Sequence, residues 1–256
     1  MNRKNLFIVL KLAIMVMVLS GTARILPAAH FQVGEKLKYA IYAAGIKVGY
    51  QLIELEDIET YNGMEVFKLN GHSKTSFLVS LAYRLNDKWE IILDRDTLQP
   101  IRIEKDMVEG TEKGFVVYQI DQKNRQVVIN YTKKDDTKYL AAENDVYDFI
   151  SMVYKFRSMA TDYSHYGDEI TFDFLEPDSL RTVTFVNKGL ERIEVPKLSR
   201  NRKYTVYRYR QVQKPHIEFF VSNDKTGIPL KMKVNARLTK RLSIKIEVFL
   251  DEYNVQ

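Results

Sequence analysis

The chain of 256 residues contains no cysteine. That absence excludes a disulfide framework, thiol catalysis and thiolate metal ligation, so stability must come from packing alone. Histidine is scarce as well. His30, His72, His165 and His216 are scattered, and no two stand at i, i+2 or i, i+4, so no metal site is expected. There is no G-x-S-x-G elbow, no glycine-rich phosphate loop and no dinucleotide fingerprint. Ser73, Ser76 and Ser80 have no identifiable base, and the acidic pairs Asp94/Asp96 and Asp135/Asp136 read as solvated turns. No catalytic residue is assigned, no cofactor is expected, and the chain reads as a non-enzyme.

Long apolar runs are missing after residue 23. Before it, "MNRK" is cationic, "NLFIVLKLAIMVMVLS" is nearly all apolar, and Gly21 and Ala23 are small. That order predicts a secretory signal cleaved after Ala23, with a retained N-terminal membrane anchor as the alternative. With no cysteine after the apolar run, a lipid-modified N-terminus is not expected. Loss of residues 1–23 removes Arg3, Lys4 and Lys11 and takes the formal charge from +6 to +3, leaving 233 residues (256 less 23). Such a chain can bury a large core. Export to the periplasm and near-balanced charge disfavour nucleic acid as a partner.

What is abundant is aromatic alternation: 16 tyrosines and 13 phenylalanines accompany a single tryptophan. Period-two patterning runs through most of the chain, as in "EKLKYAIYAAGIKVGYQLIELEDIE", and Asn62-Gly63 marks a hairpin turn. One segment has helical spacing. "ENDVYDFISMVYKFRSMA" places Val146, Phe149, Ile150, Val153 and Phe156 on one stripe, with Asn144 or Asp145 as the expected cap and a sheet as the expected partner of the stripe. A phrase also recurs. "IILDRDTLQPIRIEK" and "FFVSNDKTGIPLKMKV" align with Pro100 on Pro229, Asp94 on Asn223 and Thr97 on Thr226. "GEKLKYAIY" is likewise echoed by "GDEITFDFL". The fold class expected is mainly β: two similar antiparallel curved sheets or half-barrels, residues 31–142 and 165–256, joined by an amphipathic helix near 144–160 and related by internal duplication. Asp94 and Asn223 are expected to cap the two turns.

Acid is absent from one stretch. Between Glu194 and Glu218 lie Lys197, Arg200, Arg202, Lys203, Arg208, Arg210 and Lys214, with Tyr204, Tyr207 and Tyr209 interleaved. Arg200, Arg202, Lys203, Arg208 and Arg210 are candidate contacts for anionic head groups or an anionic envelope polymer. A solvated strand balanced by acids elsewhere is the competing reading.

The segments "FQVGEKLKYAIYAAGIKVG", "WEIILDRDTLQPIRIEKDMVEG", "DVYDFISMVYKFRSM" and "FFVSNDKTGIPLKMKV", in that order, resemble domain-of-unknown-function family 3108, exported bacterial proteins. The helix pattern of the family falls on Asp148, Ser151, Tyr154 and Arg157. The resemblance implies no established activity. It implies a build similar to the half-open β-barrels of periplasmic lipoprotein carriers. The chain departs from the family pattern at the basic "PKLSRNRKY", where the family has a glycine-containing turn.

Three functions follow in order. The first is a non-catalytic exported protein holding a lipid-like ligand in the concavity of its sheets, lined by Tyr39, Ile41, Phe149, Val153, Phe172 and Phe220, positions a filled core would equally need. The second is an envelope structural or assembly factor working through protein or glycan contacts. The third is an envelope-polymer hydrolase. A cavity separates the first from the second; a filled barrel with an exposed patch favours the second.

Overall fold

The structure is a computed structural model, and it describes residues 31–81, 83–132, 136–196, 198, 202–237 and 243–255. The expected signal segment, residues 1–23, lies outside them.

Fifteen strands form a single sheet. The first eight are β1 (Lys36–Ala43), β2 (Ile46–Tyr61), β3 (Met64–Thr75), β4 (Asn86–Asp94), β5 (Pro100–Glu109), β6 (Glu112–Asp121), β7 (Gln126–Tyr131) and β8 (Asp136–Ala141). The rest are β9 (Val146–Tyr147), β10 (Glu169–Leu175), β11 (Leu180–Glu194), β12 (Lys203–Gln211), β13 (Ile217–Ser222), β14 (Pro229–Arg237) and β15 (Ser243–Asn254). A single helical turn, α1 (Phe77–Ser80), sits between β3 and β4, and α2 (Phe149–Asp162) follows β9.

The order across the sheet is β8-β7-β6-β5-β4-β3-β2-β1-β15-β14-β13-β12-β11-β10-β9. The chain starts at the centre, meanders to one edge, crosses to the other through the short link 142–145 into β9, runs through α2 to β10, and meanders back. The two halves thus share one sheet, joined where β1 pairs with β15 from Lys36↔Asn254 to Ala43↔Ile246. Every pairing is antiparallel except β9 with β10. Alternation builds the inner face: Val116, Tyr118 and Ile120 of β6 and Val127 and Ile129 of β7 are buried, while Gln119 between Tyr118 and Ile120 and Gln126 before Val127 are exposed. Asn62 and Gly63 both have positive φ, as a two-residue hairpin turn requires.

The sheet rolls round until its two ends meet. The side-chain amide of Gln122 takes the place of a ladder step: its Nε2 donates to the Val146 carbonyl and its Oε1 accepts from the Val146 amide, both at 2.9 Å. The hydroxyls of Tyr118 and Tyr131 donate to the Pro177 carbonyl at 3.0 and 3.1 Å, bringing the β10–β11 turn across the inner face. Asp173, nearly fully buried, accepts from the amides of Glu143 and Asn144 and from the Thr182 hydroxyl. Burial alone raises its pKa, but these donors outweigh burial and hold the carboxyl below the usual range.

Inside the roll lies α2. Ile150, Met152, Val153, Tyr154, Phe156 and Met159 are all buried, so the helix is covered on nearly every side instead of along one stripe. Its N-terminus differs from the expectation of a cap at Asn144 or Asp145. Val146 and Tyr147 belong to the sheet, and the cap is Asp148. The Asp148 carboxylate accepts from the Ser151 amide, and the Ser151 hydroxyl accepts from the Asp148 amide, each at 2.9 Å. At the other end, the Tyr209 hydroxyl donates to the Met159 and Tyr163 carbonyls, and Asn187 Nδ2 also reaches Tyr163. The N-terminal end is therefore satisfied by its own capping box and the C-terminal end by the wall that encloses it.

Candidate functional site

The interior was the expected ligand site, and its residues are packed against one another. Phe156 stacks on Phe219 with centroids 4.2 Å apart and meets Phe185 edge-on at 5.0 Å. Tyr39, Val153 and Phe172 are fully buried in this cluster. Ile41 and Phe149 are partly buried against it. Phe220 does not face inward. Its neighbour Phe219 points at α2, so strand alternation turns Phe220 to the outer face, under Arg208, Lys231 and Lys233 with charge-to-ring distances of 5.2–6.0 Å. Sequence alternation alone assigns Phe219 and Phe220 to opposite faces; which of them faces in depends on where α2 lies.

The polar centre of the interior is an ion pair. Arg157 on α2 grips Glu35, just before β1, in a bidentate pair: Nη1 meets Oε1, and Nη2 lies 2.8 Å from Oε2. Both side chains have no exposure. The guanidinium lies 4.6 Å from the Phe31 ring centroid and 5.3 Å from that of Tyr154. Burial works against the charged guanidinium, but the Glu35 bond and charge outweigh it and raise its pKa. Burial also pushes the Tyr39 and Tyr154 hydroxyls well above the ordinary tyrosine value, so both stay neutral. The residues of the sequence pattern Asp148, Ser151, Tyr154 and Arg157 thus cap, fill and anchor the helix. Glu35, 122 positions from Arg157, was missed by sequence reasoning, since no local pattern marks it.

A second constellation lies outside, at the end of the roll that carries the β2–β3, β4–β5 and β6–β7 turns. A cleft of about 620 Å³ is lined by Tyr61, Met64, Gln99, Ile101, Gln119 and Val128, among others. None of the six expected lining residues contributes to it. Its walls mix amides and the charged side chains of Asp94, Asp121 and Lys123 with apolar surface.

The basic stretch resolves into a paired surface. Arg208 reaches Glu218 at 2.5 Å and Glu191 at 3.6 Å, and Arg210 reaches Glu218 at 3.8 Å. The acids missing from the sequence stretch are supplied by the flanking strands β11 and β13. Arg202 is exposed and lies over Tyr204 at 5.3 Å; Lys203 is exposed; Arg200 lies outside the described residues. Of the four described cations, Arg208 and Arg210 are paired with acids, while Arg202 and Lys203 are exposed at the start of the strand.

Of the histidines, His72 bonds Asn86 at 2.7 Å and Tyr50 at 3.3 Å, and His216 bonds the Gln211 carbonyl at 3.1 Å. His165 lies 3.6 Å from Asp168, and His30 falls outside the described residues. Among the described residues no group of three or more histidines and carboxylates is placed to hold a metal ion. No helix among them is long and apolar enough to cross a membrane.

Comparison with known proteins agrees with the architecture. The family described as "Protein of unknown function (DUF3108)" matches residues 38–242. A solved β-barrel-like protein of the DUF1849 family from Brucella abortus is similar over 88% of this chain and 98% of its own, with TM-score 0.59 and 12% identity. A DUF1089 family protein from Pseudomonas aeruginosa covers 77% of this chain and 94% of its own, with TM-score 0.45 and 9% identity. No curated protein matches the chain. At 12% identity the likeness to the Brucella protein is one of fold.

Proposed function

The chain belongs to the DUF3108 family, and from that premise we propose that it is a non-catalytic exported protein that works by contact through its outer surface, as a structural or assembly component of the cell envelope. The observation that carries this reading is the enclosed helix. Six buried apolar side chains of α2 occupy the space a carrier would leave for acyl chains. At roughly 1.5–3 kcal/mol each, exposing them to admit a ligand would cost about 10 kcal/mol or more. The Arg157–Glu35 pair adds to that cost, because separating it leaves two buried charges without partners. A fold held shut by that margin presents its surface, not its interior. Support for export comes from the cationic, apolar and small-residue order of residues 1–23.

The reading of a bound apolar or amphipathic molecule keeps one place, the outer cleft beside Gln99 and Met64. Native mass spectrometry on protein isolated from a bacterial periplasm, before and after organic extraction, separates the two. Surface contact predicts the bare polypeptide mass, beginning at Arg24 if the signal is removed. A stoichiometric extra mass lost on extraction would replace this reading with that of a carrier.

A further inference from the structure

The two ends of the roll differ. Because the strands alternate in direction, the β1–β2, β3–β4 and β5–β6 turns lie at one end, and the cleft lies at the other. The first end carries the most exposed large apolar residues of the first half. Phe77 and Leu78 are each 77% exposed and Leu81 is 73% exposed, all within five positions on and beside α1. On the neighbouring β1–β2 tip, Ile46 is 68% exposed. Single exposed hydrophobes are ordinary; a cluster of this kind on one tip is not.

The loop is built, not slack. Its feet are tied by the Thr75 amide to the Leu85 carbonyl at 3.0 Å and by the Leu85 amide to the Thr75 hydroxyl at 3.1 Å. It is fastened sideways by the Ser76 amide to the Val48 carbonyl at 2.8 Å and by the Gly110 amide to the Arg84 carbonyl at 2.6 Å. Within the loop the Ser80 and Tyr83 amides donate to the Ser76 and Val79 carbonyls, and the Ser80 hydroxyl donates to the Phe77 carbonyl. The feet and part of the turn are thus paired while the apolar side chains point outward, which lowers the cost of entry into the acyl region of a bilayer.

Charge on the loop itself favours the same partner, with the acids of this end, Glu109 and Glu112, set on the neighbouring β5–β6 tip. No acid occurs from residue 66 to residue 86, while Lys68, Lys74 and Arg84 do, and Lys74 and Arg84 are exposed at the feet of the loop. Tyr83, half exposed, donates its hydroxyl to Glu109 at 3.4 Å on the next tip, an amphipathic ring at the level where head groups would begin.

We propose that the β3–β4 loop is a membrane-contact element that seats Phe77, Leu78 and Leu81 in the outer acyl region of a lipid surface bearing anionic head groups, with Lys74 and Arg84 on those head groups. The inference deepens the surface-contact reading and rests on it by naming the surface and the partner.

The absence of cysteine supplies a clean test. Full-length Leu78→Cys carries one environment-sensitive fluorophore on the loop, and full-length Tyr139→Cys carries the same label on β8, where Tyr139 is also exposed. Both are mixed with vesicles of phosphatidylethanolamine and phosphatidylglycerol. The expected result is a blue shift, and quenching by brominated acyl chains, at position 78 and not at 139. Adding Phe77→Ser and Leu81→Ser should weaken the vesicle-bound fraction on the order of tenfold or more. An unchanged probe at 78 on vesicle-bound protein would overturn the proposal, because binding would then run through the apolar N-terminal run. Equal shifts at both positions, or a shift at 78 that grows with protein concentration without vesicles, would overturn it in favour of adsorption or self-association. Those failures leave the surface-contact reading to the mass measurement, which fails separately if a ligand co-purifies.

Discussion

Two turns that read alike in sequence do different work in the structure. The β4–β5 turn and the β13–β14 turn both lead into a proline, and both pair that proline just past a register shift, Leu93↔Pro100 and Val221↔Pro229. Both also hold a residue at positive φ two positions before the proline, Leu98 at 60° and Gly227 at 56°. In the first turn that residue is a leucine buried in the core. In the second it is a glycine, because α2 lies against it: a Cβ there would sit 2.4 Å from the Arg157 carbonyl oxygen. The Thr226 carbonyl next to it accepts from Arg157 Nε at 3.3 Å. One turn fills space with its own side chain; the other clears space for the helix. Two turns of similar sequence thus serve a single enclosed helix by differing where one of them touches it.

The largest way to break this comparison is Gly227→Leu, which gives the second turn the residue of the first. Left-handed φ with a side chain costs about 1–2 kcal/mol, and the backbone collision must displace α2 as well. The expected loss is about 4 kcal/mol or more in denaturant unfolding. The reverse exchange, Leu98→Gly, should cost less, about 2–4 kcal/mol, since it empties a buried site while relieving φ. Equal losses for the two would show that the helix does not bear on the second turn.

The next test cuts the tie between α2 and the start of β1. Arg157→Met alone should cost about 3–5 kcal/mol by stranding Glu35, and pairing it with Glu35→Leu should recover much of that loss. Thermal melting of the single and double variants reads the difference. A double variant no better than the single would mean that the ring stacking on Phe31 and Tyr154 matters more than the charge.

The smallest effect concerns the caps. Asp94 accepts from the Asp96 and Thr97 amides and the Thr97 hydroxyl. The second turn was expected to use Asn223 in this role. It uses Asp224, which accepts from the Thr226 amide and hydroxyl and from Ser222, because this turn is one residue wider, closing from Ser222 to Ile228 where the first closes from Asp94 to Gln99. Burial raises the Asp224 pKa, but its donors outweigh burial and lower it. Its contribution is therefore present above the unfolded carboxyl value of about 4 and fades as pH falls through the lower folded value. Asp224→Asn should cost no more than about 1 kcal/mol at neutral pH, the side chain being solvent-accessible, and should flatten the acid limb of stability. An unaltered acid limb would remove Asp224 from the account.

Much of this fold was legible locally. Period-two alternation marks the strands, Asn62-Gly63 marks its turn, and the repeated proline phrase marks two hairpins, because each signal lies within a few residues. The helix was legible as a helix, but its enclosure was not. That depends on Phe219, Phe185, Phe31 and Glu35 arriving from distant parts of the chain, and a stripe looks the same whether one face or all faces are covered. The basic stretch misled for the same reason, since Glu191 and Glu218 become neighbours of Arg208 only by strand pairing. The exposed tip at Phe77 was not legible, since the sequence shows apolar residues around Ser76 and Ser80 and only the placing of the loop exposes them.

The pairing of β1 with β15 has a consequence in time. β1 must wait for β15, made much later, before the middle of the sheet can form. Until then the edge of β1 is a bare template, and the many contacts of high sequence separation predict slow folding. A chain threaded across a membrane N-terminus first would reach the far side with that edge open and its partner still inside. Its safe arrival would depend on a holding chaperone, or on the speed with which the final strand follows.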